Sequence, residues 1–283
     1  MAERYLNYNG KFINALEPVL HSANRSFRYG DSLFETIRVV GRNIQFLDDH
    51  MNRLKSGMNI LKMEIPSDYT TEQFFQQINL LIWENGIQSD ARVRLTVFRN
   101  DGGFYTPLSN QVSYLIEIEA MEEVGYVLNQ KGYTIDIFSE IKKAQGMLSS
   151  VKSANSLLYV LAGIYKTENK LDDCVVLNTK GNISEGISSN LFVVKNGALY
   201  TPLLEEGCIE GVMRKQIFKI ARDNRIAVHE VPLAVNVLLN SDEVFLTNAI
   251  QGIRWVGAYK GKRYFNTTSK LLNEKLNAGL LIQ

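Results

Sequence analysis

The run ARVRLTVFR (Ala91–Arg99) sets apolar residues at every second position, with arginines and a threonine between them. Successive side chains of a strand point to opposite faces, so this run predicts a strand with only one face in a core. A glycine-rich turn, RNDGGFY, follows, and then QVSYLIEIEAM, a second strand rich in β-forming residues. An apolar sheet face needs a cover, and two amphipathic helical patterns precede the pair. One is capped by Asp48 or Asp49 and carries Met51, Leu54, Met58 and Leu61 on one side; the other, YTTEQFFQQINLLIWENG, ends at Gly86. Nearer the start, YLNYNGKFINA reads as a hairpin on an Asn-Gly turn, and FETIRVV as a strand entering the turn GRN.

The pattern changes after EEVGYVLNQKG. Strand runs GYTIDIFS, CVVLN, NLFVV, ALYTP, AVHEVPL and EVFLTNA are interspersed with three helices. These are SANSLLYVLAGIYKTENK, a helix of about 18 residues, then GVMRKQIFKIARDNR and the terminal TSKLLNEKLNAGLL. The expected fold class is therefore mixed α/β (α+β), with an N-terminal α+β domain over 1–122 and a C-terminal α/β domain over 123–283. A chain of 283 residues has room for both cores. Its charges balance to +1, which leaves no basic footprint for nucleic acid or a membrane surface. No apolar run reaches bilayer length, and MAERYLNYNGKF lacks the pattern of an export signal. Two cysteines, Cys174 and Cys208, fit a reducing cytoplasm. His21, His50 and His229 lack ligand spacing, so no metal is expected.

Several residues can carry chemistry. Lys152, in SSVKSAN, has small neighbours at the head of an apolar helix pattern. A lysine buried there becomes a nucleophilic amine; a solvated one does nothing. Glu185 lies in the Gly/Ser-rich loop SEGISSN, which is at least a turn between strands. Gly207 and Gly211 flank a loop that runs straight into a helix, an arrangement suited either to phosphate on the free amides or to simple helix entry. Arg53 follows His50 by one helical turn. Arg92 and Arg94 share a strand face that a substrate carboxylate would suit, and Arg99 ends the same strand. Neither a complete nucleotide fingerprint nor a nucleophile elbow occurs.

Six segments in order resemble the class IV aminotransferases, the fold type IV pyridoxal-phosphate enzymes. They are RxxxxGDxxFETIR (Arg25–Arg38), HxxRL (His50–Leu54), VKSxN (Val151–Asn155), EGxSSNLF (Glu185–Phe192), GxxEGVxR (Gly207–Arg214) and EVFLTNA (Glu243–Ala249). The resemblance covers essentially the whole chain. It implies a small N-terminal α+β domain and a larger C-terminal pseudo-barrel domain with pyridoxal 5′-phosphate at their interface, in a homodimer. It implies that Lys152 is the catalytic Schiff-base lysine and that Glu185 pairs with the pyridine nitrogen. Arg53, the amides of Val212 and Met213, Thr247 and Asn248 would hold the phosphate. Ile209 and Ser188 would sit at the ring faces. Tyr29, Phe34, Arg94 and Arg99 would meet substrate. The implied activities are branched-chain-type transamination or aminodeoxychorismate lyase chemistry, which yields p-aminobenzoate and pyruvate. The alternatives are a D-amino acid aminotransferase or a cofactor-binding homologue without turnover. D-amino acid enzymes typically carry Tyr at Phe34 and an Arg-x-His turn where this chain has NDGGFY. Branched-chain enzymes typically carry Tyr at Ser156.

Overall fold

The hairpin at the start folds as its Asn-Gly turn requires. Asn9 and Gly10 both take positive φ, 49° and 83°, and join β1 (Tyr5–Tyr8) to β2 (Lys11–Asn14). The computed structural model describes residues 4–280. Its chain divides into two units: one runs up to Gly125 and takes back Val151–Asn155, and the other holds Tyr126–Ser150 and the chain from Ser156 onward. The first break thus falls after Gly125 rather than after residue 122, and a short segment returns.

In the first unit, a five-residue helix α1 (Arg25–Tyr29) ends on Gly30 at φ 64°. Next come β3 (Ser32–Val40), β4 (Asn43–Ile44), α2 (Leu47–Ile60), α3 (Thr71–Glu84), β5 (Ala91–Arg99) and β6 (Val112–Ala120). The sheet order is β2-β1-β6-β5-β3-β4, antiparallel throughout. The alternation in β5 behaves as read: Val93, Leu95 and Val97 are buried, and Arg92, Arg94 and Thr96 on the other face are half-buried. Met51, Leu54 and Met58 of α2 and Phe74, Ile78 and Leu81 of α3 close the apolar face. The start of α2 differs from expectation. Phe46, in the left-handed region at φ 55°, holds the cap position without a side-chain bond, and Asp48 and Asp49 lie inside the first turn. There they complement the positive end of the helix rather than capping it.

The returning segment is extended. Leu33 and Ser153 form an antiparallel bridge, Phe34 N–H donates to Lys152 O at 3.1 Å, and Ala154 N–H donates to Ser32 O at 3.0 Å. The end of β3 that β4 leaves uncovered is paired in this way, since β4 reaches only Val39 and Val40. The helix expected from Ser153 therefore starts later, as α4 (Leu157–Glu168), with 12 residues. The backbone groups at 152 and 154 already serve β3 and are not available to a helix.

In the second unit, α4 follows β7 (Tyr133–Lys143). Then come β8 (Asp173–Asn178), β9 (Ile183–Gly186), β10 (Asn190–Lys195), β11 (Ala198–Thr201), α5 (Val212–Asp223), β12 (Val228–Glu230), β13 (Glu243–Asn248), β14 (Gly252–Tyr259), β15 (Lys262–Arg263) and α6 (Thr267–Leu280). The strand order is β12-β11-β10-β13-β14-β7-β8-β9, with β15 on β14. The sheet is mixed: β7 runs parallel to β8 and β14, and β10 antiparallel to β13. Its last strand, β9, turns back toward β10 through a bond from Gly186 N–H to Ser189 O of 2.7 Å, so the sheet curls into a half-barrel. Glu185 therefore stands in a strand, β9, and not in the loop the glycine and serines suggested; the loop is confined to residues 187–189. Phe192, Phe245 and Ile217 fill the core between this sheet and α5.

Candidate active site

Lys152 is delivered by its extended segment to Phe34 of β3. Its Nζ lies 4.1 Å from the Phe34 ring centroid, and the Arg94 guanidinium carbon from β5 lies 4.0 Å from the same ring. Both cations use the electron-rich face of the aromatic ring. Three of the residues singled out from the sequence thus meet in the first unit. Tyr29 packs on Tyr105, ring centroids 5.5 Å apart, with Arg25 over its ring. Arg99 is different. It is buried, its Nε donates to Asp31 at 2.9 Å, its Nη2 to Leu61 O at 2.7 Å, and its Nη1 to Asn110 Oδ1. With Arg25, which also grips Asp31, Arg99 ties α1 to the end of α2. Its described hydrogen bonds are all to the first unit itself.

Arg53 projects from α2 onto Glu35 of β3 in a two-pronged pair, Nε to Oε1 at 2.9 Å and Nη2 to Oε2 at 2.5 Å. His50, one turn earlier, meets Glu35 Oε2 through Nδ1 at 2.7 Å. Burial pushes the Glu35 carboxyl up, but the Arg53 charge and the hydrogen bonds of Arg53 and His50 outweigh it and hold it at about 2. Burial pushes His50 down, and the nearby Arg53 and Lys152 charges add to this against the pull of Glu35. His50 is therefore neutral at neutral pH, with its proton on Nδ1, because an ionised carboxylate only accepts. Its Nε2 is buried without a hydrogen-bond partner. The sequence marked His50 and Arg53 as a pair one turn apart but not Glu35, which lies fifteen residues from His50.

In the second unit Glu185 is buried and its carboxylate is gripped from three elements. Lys143, the last residue of β7, and the Tyr159 hydroxyl from α4, at 2.5 Å, both donate to Oε1. The Ile209 amide, in the loop before α5, donates to Oε2 at 2.9 Å. Burial, then the Glu185 charge, raises the Tyr159 phenol far above its ordinary range, so it stays a donor. Burial likewise pushes the nearby Cys208 thiol up to about 12. Neither Lys143 nor Tyr159 was singled out by motif. A lysine ending a strand and a tyrosine inside an apolar helix carry no local signal.

The entry to α5 is built for close approach. Gly211 occupies the cap position and contributes no side-chain bond, so the first amides of the helix, including Val212 and Met213, have no intrahelical acceptor. A Cβ on Gly211 would run into the carboxamide oxygen of Asn190. Asn190 in turn donates to Ile209 O at 2.7 Å and pairs across the sheet with Thr247. Thr247 is buried, and its Oγ1 has no hydrogen-bond partner. Ile209, Gly211 and Thr247 are thereby grouped around Asn190. Asn248 is used for the turn, its Oδ1 accepting from Ile250 N–H and Gln251 N–H. Ser188 is exposed in the turn after β9. No helix among the described residues is long and apolar enough to cross a membrane.

The class IV amino-transferase family pattern matches residues 32–259, most of the chain. The chain belongs to the class IV aminotransferase family. It is 26% identical over 266 residues to the branched-chain-amino-acid aminotransferase of Escherichia coli K12, covering 91% of this chain and 85% of that one. It is 27% identical over 247 residues to the aminodeoxychorismate lyase of Bacillus subtilis 168, covering 86% and 82%. Its fold matches the crystal structure of a branched-chain aminotransferase from Thermoproteus uzoniensis solved with norvaline, at a TM-score of 0.89 and 23% identity, over 97% of this chain and 94% of that one. The enzymes related to it are pyridoxal-phosphate-dependent, and they include transaminases and lyases.

Proposed function

We propose that this class IV aminotransferase binds pyridoxal 5′-phosphate and moves the amino group of an apolar L-amino acid of the branched-chain type. One observation carries the choice of substrate. Arg94 stands beside Phe34 and Lys152, whereas Arg99 is committed to Asp31, Leu61 and Asn110. One guanidinium on an aromatic ring suits a substrate with a single carboxylate and an apolar side chain. The doubly anionic aminodeoxychorismate calls for more positive charge.

Pyridoxal phosphate fits the residues present. A buried threonine hydroxyl without a partner and a helix start free of any capping side chain suit a phosphate. A buried carboxylate fixed by three donors suits a ring nitrogen that carries a proton. When bound, the cofactor supplies an aldehyde that captures amines and a ring that takes up electrons when a proton leaves the amine-bearing carbon. The chain's residues do the rest. Lys152 holds the cofactor and carries the proton between carbons. Glu185 keeps a proton on the ring nitrogen. Arg53, the Val212 and Met213 amides and Thr247 bind the phosphate, with Asn248 shaping the turn beside it. Ile209 and Ser188 sit at the ring faces, and Tyr29, Phe34 and Arg94 receive substrate.

The Bacillus subtilis relative keeps lyase chemistry as a second reading. An amine-donor screen on the purified protein decides. Keto-acid-dependent deamination of leucine, isoleucine or valine is expected, and it should vanish in Lys152→Ala. Fluorescent p-aminobenzoate from aminodeoxychorismate without that deamination would favour the lyase. Silence with every donor would refute both readings.

A second copy of the chain is the partner we infer. Leu157, Val160, Leu161 and Ile164 form an exposed apolar stripe along α4 at helical spacing. Sedimentation should give twice the mass of one chain. The two buried, unpaired cysteines support a reducing cytoplasm as the compartment.

A further inference from the structure

Glu185 is already well supplied with donors by the protein itself. A carboxylate offers about four lone-pair positions. Lys143 and Tyr159 fill both positions on Oε1, and the Ile209 amide fills one on Oε2. One position remains. The three donors come from β7, from α4 and from the loop before α5, so the carboxylate plane is fixed from separate directions. Lys143 is buried, its ammonium also lies 5.6 Å from the Tyr159 ring, and the register of β7 against β8 shifts just before it. The irregularity separates Phe138, which pairs with Val176, from Lys143, which pairs with Asn178.

We propose that Lys143 is a positioning residue that works with Tyr159 as a built-in counter-charge on Glu185. The pair leaves one acceptor position on Oε2 for a ring nitrogen and weakens the hold of the carboxylate on that nitrogen's proton. The inference rests on the proposed pairing of Glu185 with the cofactor ring. A bare buried carboxylate would fix the ring proton strongly. A carboxylate already neutralised by an ammonium attracts the ring proton less, and the ammonium repels a protonated ring. The electron demand of the ring is thus set by a residue that does not touch it. Tyr159 supplies the fixed hydroxyl from the first turn of α4.

The test uses the full-length chain loaded with pyridoxal 5′-phosphate carrying ¹⁵N in its ring, and reads the nitrogen chemical shift. Lys143→Met should move the signal toward that of a protonated ring, with the ratio of protonated to neutral ring rising about tenfold, the lower end of what one neighbouring charge does. Lys143→Arg should restore the wild-type shift. Tyr159→Phe should move it in the same direction as Lys143→Met but less far. Lys143→Gln serves as a second neutral variant if the methionine protein does not fold. If Glu185→Gln moves the signal toward the neutral ring while Lys143→Met and Lys143→Gln leave it at the wild-type position, the role of Lys143 is refuted and the pairing of Glu185 stands. If Glu185→Gln leaves it unmoved, the pairing itself is wrong and this inference falls with it.

Discussion

Replacing Glu35 with glutamine should remove a large part of the stability of the first unit. The carboxylate is buried and serves Arg53 twice and His50 once. Its carboxyl is held at about 2 against an ordinary 4.5. That depression corresponds to about 3 kcal/mol of folding free energy at neutral pH. Because the folded-state value is depressed, this contribution is complete above 4.5 and disappears as pH falls through about 2. Glu35→Gln removes the charge that Glu35 sets against the Arg53 guanidinium, which is largely buried. Urea unfolding followed by circular dichroism, at neutral pH and in steps toward acid, is the assay. The wild type should lead by about 3 kcal/mol at neutral pH, and the gap should close as pH falls through about 2. Glu35 raises the His50 value, so Glu35→Gln depresses it further; His50 is neutral in both proteins above 6.5, and the gap at neutral pH is therefore the measure of Glu35. A gap under about 0.5 kcal/mol at neutral pH, the range of an inert surface change, would refute the ion-pair argument.

Three further substitutions probe single features. Thr247→Val removes a buried hydroxyl that has no partner, so stability should hold or rise by up to about 1 kcal/mol, while pyridoxal phosphate affinity, measured by fluorescence titration, should fall. Gly211→Ala forces a methyl into the Asn190 carboxamide; it should cost about 1–3 kcal/mol by the overpacking rule and loosen phosphate binding, and a melting temperature equal to wild type would contradict the close approach. Asp90 is buried and takes Arg38 at 2.9 Å, Gly125 N–H at 2.8 Å and Gly41 N–H at 3.0 Å. Asp90→Ala should therefore destabilise by about 3–5 kcal/mol, as breaking a buried pair does, and a loss below about 1 kcal/mol in urea unfolding would show that the Glu123 and Gly125 carbonyls, which Arg38 also meets, suffice to hold it.

The elements legible in the sequence were those written in local periodicity. The alternation in β5 and the apolar stripes of α2 and α3 reported both their type and their buried side. What escaped depended on partners far along the chain. Lys152 looked like the head of a helix because Leu157 onward is helical in pattern, yet its segment pairs with β3, with 120 residues between Leu33 and Ser153. Glu185 looked like a loop residue because glycine and serines follow it, yet the strand pairing of Val176 with Glu185 decides its conformation. The cap of α2 failed for a local reason: Phe46 adopts a left-handed backbone that its side chain does not advertise. Of the residues proposed for the site, Lys152, Phe34 and Arg94 were singled out from the sequence and meet in the fold. Glu35, Lys143 and Tyr159 were not, since each acts by holding another side chain and leaves no spacing to read. Arg99, which the resemblance assigned to substrate, is a conspicuous arginine whose buried contacts are with Asp31, Leu61 and Asn110.

The return of Val151–Asn155 to the first unit has a bearing on how the protein comes into being. The lysine is encoded inside the portion of the chain that builds the other unit, yet its backbone completes the edge of β3. A ribosome has made the whole of the first sheet before this segment leaves the exit tunnel, so that edge must wait unpaired during synthesis. Cutting the gene after Gly125 would produce one fragment with a bare strand edge and another with the lysine but nothing to set it against. Mixing the two fragments would then restore the Lys152 amine beside Phe34 only by strand addition. The segment that carries Lys152 is in this sense a late addition to the first unit and not an early one.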